Sequence, residues 1–144
     1  MKIKKLFIVA ITLVCMLSVV PSAFAVTDYA DTQATAIDLF PVPFTDKVAW
    51  IDSNTDHDWY VYTNTNSTTR YLSAFASLPN GSYFFEAKYR YTNGFESGFI
   101  NGSGSDVIKY YDNLQVLPGE KIFFRVRSSN PTGINYHLDF TVNS

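Results

Sequence analysis

Beyond residue 46 the chain reads as short runs of alternating apolar and polar side chains, rich in aromatic and β-branched residues. That pattern predicts strands near Lys47–Ile51, Asp58–Thr63, Tyr71–Ala76, Tyr83–Tyr91, Phe95–Ile100, Val107–Val116, Lys121–Ser128 and Asn135–Val142. The separators are Asn64-Thr65-Asn66-Ser67, Pro79-Asn80-Gly81, Asn93-Gly94, Asn101-Gly102-Ser103-Gly104, Pro118-Gly119 and Asn130-Pro131-Thr132-Gly133, all turn-forming compositions. About eight short strands at this spacing imply an all-β sandwich or barrel. Within Tyr83–Tyr91, the residues Phe85, Ala87, Tyr89 and Tyr91 share one face, and Phe84, Glu86, Lys88 and Arg90 the other. One buried and one wet face are expected there. In Asp58–Tyr62 both faces are apolar or aromatic, so one should enter the core and the other be covered or bind something. The one helical hint is Thr32–Asp38, where Ala34 and Ala36 suit a short turn. No repeat, linker or second domain interrupts the pattern.

The first 25 residues break the alternation and change the picture of where the chain goes. Lys2, Lys4 and Lys5 precede an apolar stretch, Leu6 to Val20, interrupted by Thr12 and Ser18. Pro21-Ser22-Ala23-Phe24-Ala25 follows, with small residues where a signal peptidase reads. The stretch is shorter than the roughly 20 residues a membrane span requires. A cleavable secretory signal over residues 1–25 is expected, with a single domain over residues 26–144, secreted, extracellular and of bacterial type. Cys15 is the sole cysteine and lies inside the apolar stretch. The exported part would therefore have no disulfide and would depend on its core or a bound ion.

Cleavage would leave eight basic against thirteen acidic side chains, a net charge of −5. Such a domain is a poor partner for nucleic acid or an anionic membrane surface, and no membrane insertion is expected after cleavage. The negative charge is concentrated early, with Asp28, Asp31, Asp38, Asp46, Asp52, Asp56 and Asp58 accompanied only by Lys47. Catalytic signatures are missing. There is no Gly-x-Ser-x-Gly elbow, no His-Glu-x-x-His and no phosphate-cradling glycine loop. Of the two histidines, His57 reads as a solvated loop residue and His137 as a surface strand position. The protein is expected not to be an enzyme.

The most specific segment is Asp52-Ser53-Asn54-Thr55-Asp56-His57-Asp58-Trp59-Tyr60. Asp56 and Asp58, two apart in a tight turn, supply several oxygens from one side, which suits a hard cation such as Ca²⁺. Asp28 and Asp31 complete the set if the N-terminal segment folds back. The plainer reading is that Asp56 and Asp58 cap the turn through backbone N–H groups. Three stretches together resemble the bacterial pre-peptidase C-terminal domain family, which includes the collagen-binding domains of clostridial collagenases. They are Asp31-Thr32-Gln33-Ala34-Thr35-Ala36-Ile37, then Val48–Asp52 with Asp56–Tyr62, and then Leu117-Pro118-Gly119-Glu120 with the Phe123–Val126 strand and Tyr136-His137-Leu138. The resemblance implies a jelly-roll-like β-sandwich of about eight antiparallel strands. It also implies Ca²⁺ held by Asp28, Asp31, Asp56 and Asp58, although Tyr29 and Ala30 interrupt the denser acidic start of metal-binding members. Collagen binding is not implied, because Arg125 and Arg127 stand where collagen-binding members carry tyrosines.

Other aromatic pairs offer platforms for a ligand, Tyr60 and Tyr62, Tyr89 and Tyr91, Tyr110 and Tyr111, although the plainer reading of each pair is packing into the core. The expected function is a non-catalytic, monomeric binding module recognising an extracellular polymer, cell-wall material or a secreted protein. A helper or inhibitor of a secreted enzyme, and a small hydrolase using the Asp52–Asp58 cluster, are the alternatives. The binding reading requires an exposed aromatic patch.

Overall fold

The structure is a computed structural model that describes residues 30–40 and 43–143. The expected signal segment and Asp28 lie outside the described residues. Among the described residues, one 3₁₀ turn, Gln33–Thr35, is followed by ten strands. They are β1 (Ile37–Asp38), β2 (Phe44–Ala49), β3 (His57–Thr63), β4 (Arg70–Ser77), β5 (Tyr83–Arg90), β6 (Ile100–Asn101), β7 (Ser103–Gly104), β8 (Ile108–Val116), β9 (Lys121–Ser128) and β10 (Tyr136–Asn143). They form two five-stranded sheets, β1-β3-β9-β5-β6 and β2-β10-β4-β8-β7, packed as a sandwich around one aromatic core.

Seven of the eight expected strands are present. The exception is Phe95–Ile100. After the Asn93-Gly94 turn this stretch keeps one isolated bridge, Arg90 to Glu96, and pairs as a strand only at Ile100–Asn101. Glu96 is drawn back to the sheet by Lys88, Arg90 and Gln33, and this bends the segment out of strand geometry. The three two-residue strands are too short to leave an alternation in sequence. One of them also corrects the all-antiparallel expectation: β1 runs parallel to β3, with Ile37 opposite Tyr60. The 3₁₀ turn at Gln33–Thr35 falls where the short helical turn was expected, held by a reciprocal cap between Thr32 and Thr35.

The core is aromatic. The Phe85 and Phe124 rings stack at 5.5 Å, and Phe140 crosses Phe124 at 5.1 Å. Tyr60, Tyr62 and Tyr111 belong to this core. Their expected role as an exposed platform is therefore corrected. The inward parity of β3 carries Asp58, Tyr60 and Tyr62, and β8 turns Tyr111 inward beneath its neighbour Tyr110. Two of these tyrosines satisfy their hydroxyls inside. Tyr60 and Tyr136 hydroxyls lie 2.7 Å apart, and that of Tyr111 reaches the carbonyls of Ile100 at 2.7 Å and Phe85 at 3.0 Å.

The face of β5 expected to be wet is instead largely covered. Glu86 is buried at its centre and accepts hydrogen bonds from Arg125 and Arg127 of β9. Phe99 closes over Arg125 at 4.0 Å and Phe84 over Arg127 at 4.1 Å. The long cationic stems shield apolar surface while their heads pair with one buried carboxylate.

Candidate functional site

On the outer face of the second sheet, strand register sets side chains into rows. Asp139 of β10 lies opposite Phe75 of β4, which lies opposite Tyr110 of β8, followed by Ser103 of β7. The next row is Thr141 opposite Ser73, with Asp112 hydrogen-bonded to the Ser73 hydroxyl at 3.1 Å. Phe75 and Tyr110 are 39% and 46% exposed, high for rings of this size in one row. Apart from Ser103, these residues line, together with Ala74 and Tyr111, a groove of about 290 Å³.

Local chemistry fixes the walls. Asn113 has a positive φ of 52°, tolerable for asparagine, where the β4–β8 register shifts between Leu72 and Ala74. Its N–H donates to the Ser73 hydroxyl, so Ser73 and Asp112 are held together. Asp139 accepts the Asp46 N–H at 2.7 Å, and Asp46 faces His137 at 3.3 Å. Gly104 has a φ of 114°, and a Cβ there would lie 2.3 Å from the Ile108 carbonyl and 3.3 Å from the Tyr110 ring. Glycine is what lets β7 press against Tyr110 and fix its ring. The groove thus offers an apolar aromatic floor with carboxylate and hydroxyl oxygens on its rim. That combination matches a ligand with one C–H face and many hydroxyl groups.

A second aromatic cluster lies at the end of β5. Tyr89, Tyr91 and Phe95 stack in sequence at 6.1 Å, with interplanar angles of 9° and 16°. Tyr89 and Tyr91 form, with Gln115, Leu117 and Glu120, a hollow of about 270 Å³. Tyr89 packs against the core, and burial, then the neighbouring Tyr91 and Glu120, raise its hydroxyl to about 12. It is a buttress, and Tyr91 and Phe95 form the exposed part.

The aspartates do not gather as expected. Asp58 is buried and points inward, where its Oδ2 accepts the Tyr136 hydroxyl. Asp56 Oδ2 accepts the Asp52 N–H at 2.9 Å, closing the turn in the capping manner. The N-terminal segment does fold back, for the Ala30 carbonyl accepts the Trp59 N–H at 3.0 Å. Asp31 follows Ala30 with Oδ1 buried, and among the described residues that oxygen accepts no hydrogen bond. No three acidic or histidine side chains converge on one point among the described residues, so these do not by themselves make a cation site. His57 is also not the solvated loop residue expected. It opens β3 opposite Arg127, and burial, then Arg125 and Arg127, lower its pKa and keep it neutral at pH 7. His137 is on the surface, as expected.

Of the six tyrosines singled out in sequence, Tyr110 lines the groove, Tyr91 and Tyr89 belong to the second cluster, and Tyr60, Tyr62 and Tyr111 are internal. Sequence reasoning missed Phe75, Asp112 and Asp139. A signal for Phe75 was present. In Tyr71-Leu72-Ser73-Ala74-Phe75-Ala76 the alanines take the inward parity, which leaves the large rings outside.

This is the architecture of a small two-sheet β-sandwich bearing an aromatic groove on one sheet. No family model matches the sequence, and no curated protein matches it. Among solved structures the fold is similar to the pre-peptidase C-terminal domain of a collagenase from Bacillus anthracis. That likeness has 10% identity and a TM-score of 0.44, and covers 69% of this chain and 88% of that one. It is also similar to TmCBM61, solved in complex with β-1,4-galactotriose, at 14% identity and a TM-score of 0.46, covering 68% and 69% of the two chains. A third is the Aeromonas hydrophila periplasmic inhibitor of g-type lysozyme, at 10% identity and a TM-score of 0.36, covering 75% and 96%.

Proposed function

We propose that the domain is an exported, non-catalytic binding module that holds a neutral polysaccharide chain of the cell exterior across the outer face of its second sheet. The observation that carries this reading is the groove in which Phe75 and Tyr110 lie side by side, flanked by Asp112, Asp139, Ser73 and Thr141. Aromatic rings take the C–H face of a pyranose, and rim oxygens take its hydroxyls. The test is retention of the purified protein on insoluble cellulose, xylan and galactan. At least one should retain it, and Phe75→Ala and Tyr110→Ala should each weaken retention about 10-fold or more, as loss of an aromatic anchor does. Retention unchanged in both variants would overturn the assignment. The hydrolase alternative finds no support, because Asp58 faces the core and not a cleft shared with Asp52.

A calcium-stabilised form is a second reading, favoured by Asp31 Oδ1, which is buried and accepts no hydrogen bond among the described residues. In it Asp31 and Asp56 act with Asp28, and Asp58 drops out of the ligand set because Tyr136 holds it.

A further inference from the structure

A second pocket, of about 200 Å³, opens where the two sheets meet at the C-terminal end of β3, and it shares no lining residue with the aromatic groove. Tyr62 and Thr63 of β3, Thr65 and Asn66 of the following loop, Arg70 of β4, and Phe40 and Val142 form its walls. Arg70 has the inward parity of Leu72 and Ala74, so its guanidinium projects between the sheets. Its Nε is buried and finds no hydrogen-bond acceptor, and among the described residues no carboxylate lies within ion-pair distance of it. Every other arginine engages a glutamate.

The walls are built in advance. Asn64 is fully buried and anchors the loop in both directions. Its side-chain amide donates to the carbonyls of Thr68 at 2.9 Å and Val116 at 2.8 Å, and its Oδ1 accepts the Asn66 N–H at 3.0 Å. Its backbone is tied to Glu120 and Gly119. A rigid pocket whose cation meets no carboxylate among the described residues is poised to bind an anion.

We propose that this pocket binds the carboxylate of an acidic sugar unit, a hexuronate. A lone guanidinium offsets one negative charge, and its planar edge matches the two oxygens of a carboxylate. A doubly charged phosphate would leave excess negative charge on a domain that is already acidic. The hydroxyls of Thr63 and Thr65 and the amide of Asn66 match ring hydroxyls. Phe40, 73% exposed at the rim, offers an apolar face to the C–H side of one ring.

The test is a ¹H–¹⁵N chemical-shift titration of the protein, as its host releases it, with sodium glucuronate, glucose and N-acetylalanine. Glucuronate should shift amides between residues 62 and 70, and glucose should bind ~10-fold or more weakly for want of the charge-assisted bond. Arg70→Met should abolish those shifts while the remaining spectrum shows the protein folded, and Arg70→Lys should restore them in part. Tyr110→Ala should leave them unchanged, which separates this site from the groove. No shift with millimolar glucuronate, equal binding of glucose, or shifts that survive Arg70→Met would each overturn the proposal. N-acetylalanine binding as tightly as glucuronate would overturn it too, making the pocket a receptor for peptide ends.

Discussion

The Asp58 carboxylate sits beneath the core with the Tyr136 hydroxyl on its Oδ2 and the Tyr60 hydroxyl behind that one. Burial, then Tyr60 and Asp58, push the Tyr136 hydroxyl well above its ordinary 10, so it stays a proton donor at any physiological pH. Removing the donor leaves a buried carboxylate short of one bond, which costs about 1–3 kcal/mol. Tyr136→Phe should therefore lower stability in urea by that amount with an unchanged fold. A loss below about 0.5 kcal/mol would show that Asp58 is satisfied without it. Asp58 also marks a limit of reading single residues. Asp-x-Asp before an aromatic strand has the same spelling whether the second carboxylate faces a cation or the core, and the choice is made by Tyr136, 78 residues later.

At the scale of elements, two strands of the first sheet, β5 and β9, and the 3₁₀ turn are tied through Glu86 and Glu96. Burial raises the Glu86 pKa, but the hydrogen bonds from Arg127 and Arg125 outweigh it, and the net shift is downward from 4.5. Glu96 is lowered to about 2, first by the Lys88 hydrogen bond, against burial as the next largest effect, and then by Arg90 and Gln33. Carboxylates depressed in the folded state contribute stability that is present above their unfolded pKa and is lost as pH falls through the folded one. The melting temperature should therefore drop as pH is lowered from about 4.5 towards 2, and Glu96→Gln should flatten that slope. An identical slope in the variant would remove Glu96 from the account. The strands themselves were legible, since the alternation in β3, β4, β5, β8, β9 and β10 survives in sequence. Their outer faces were not. Glu86, Lys88 and Arg90 spell a wet surface. Only the arrival of Arg125 and Arg127 from β9, and of Phe99 from a later loop, covers it.

At the scale of the whole molecule the two outer faces differ in kind. The first sheet carries Lys88, Arg90, Arg125 and Arg127 against Glu86 and Glu96, and the second carries Asp46, Asp112 and Asp139. The groove was only half legible for this reason, since its rim comes from β8 and β10, far apart in the chain. The N-terminal segment is stitched to β3 through Ala30 and β1, so any ion held there would brace the whole sandwich. If Asp28, Asp31 and Asp56 hold calcium, the melt after EDTA treatment should rise when the ion is restored. The gain should be about 2.7 kcal/mol at 100 times the dissociation constant. No shift would end the calcium reading.

The sheet order carries one more consequence. β9 lies between β3 and β5 in the first sheet, and β10 lies between β2 and β4 in the second. In each sheet, a strand flanked on both sides is thus one of the last two described strands to be synthesised. A chain emerging N-terminus first cannot join β3 to β5 until Lys121–Ser128 has appeared, nor β2 to β4 until Tyr136–Asn143 has. Each sheet is therefore joined into one piece only once residues 121–143 are in place.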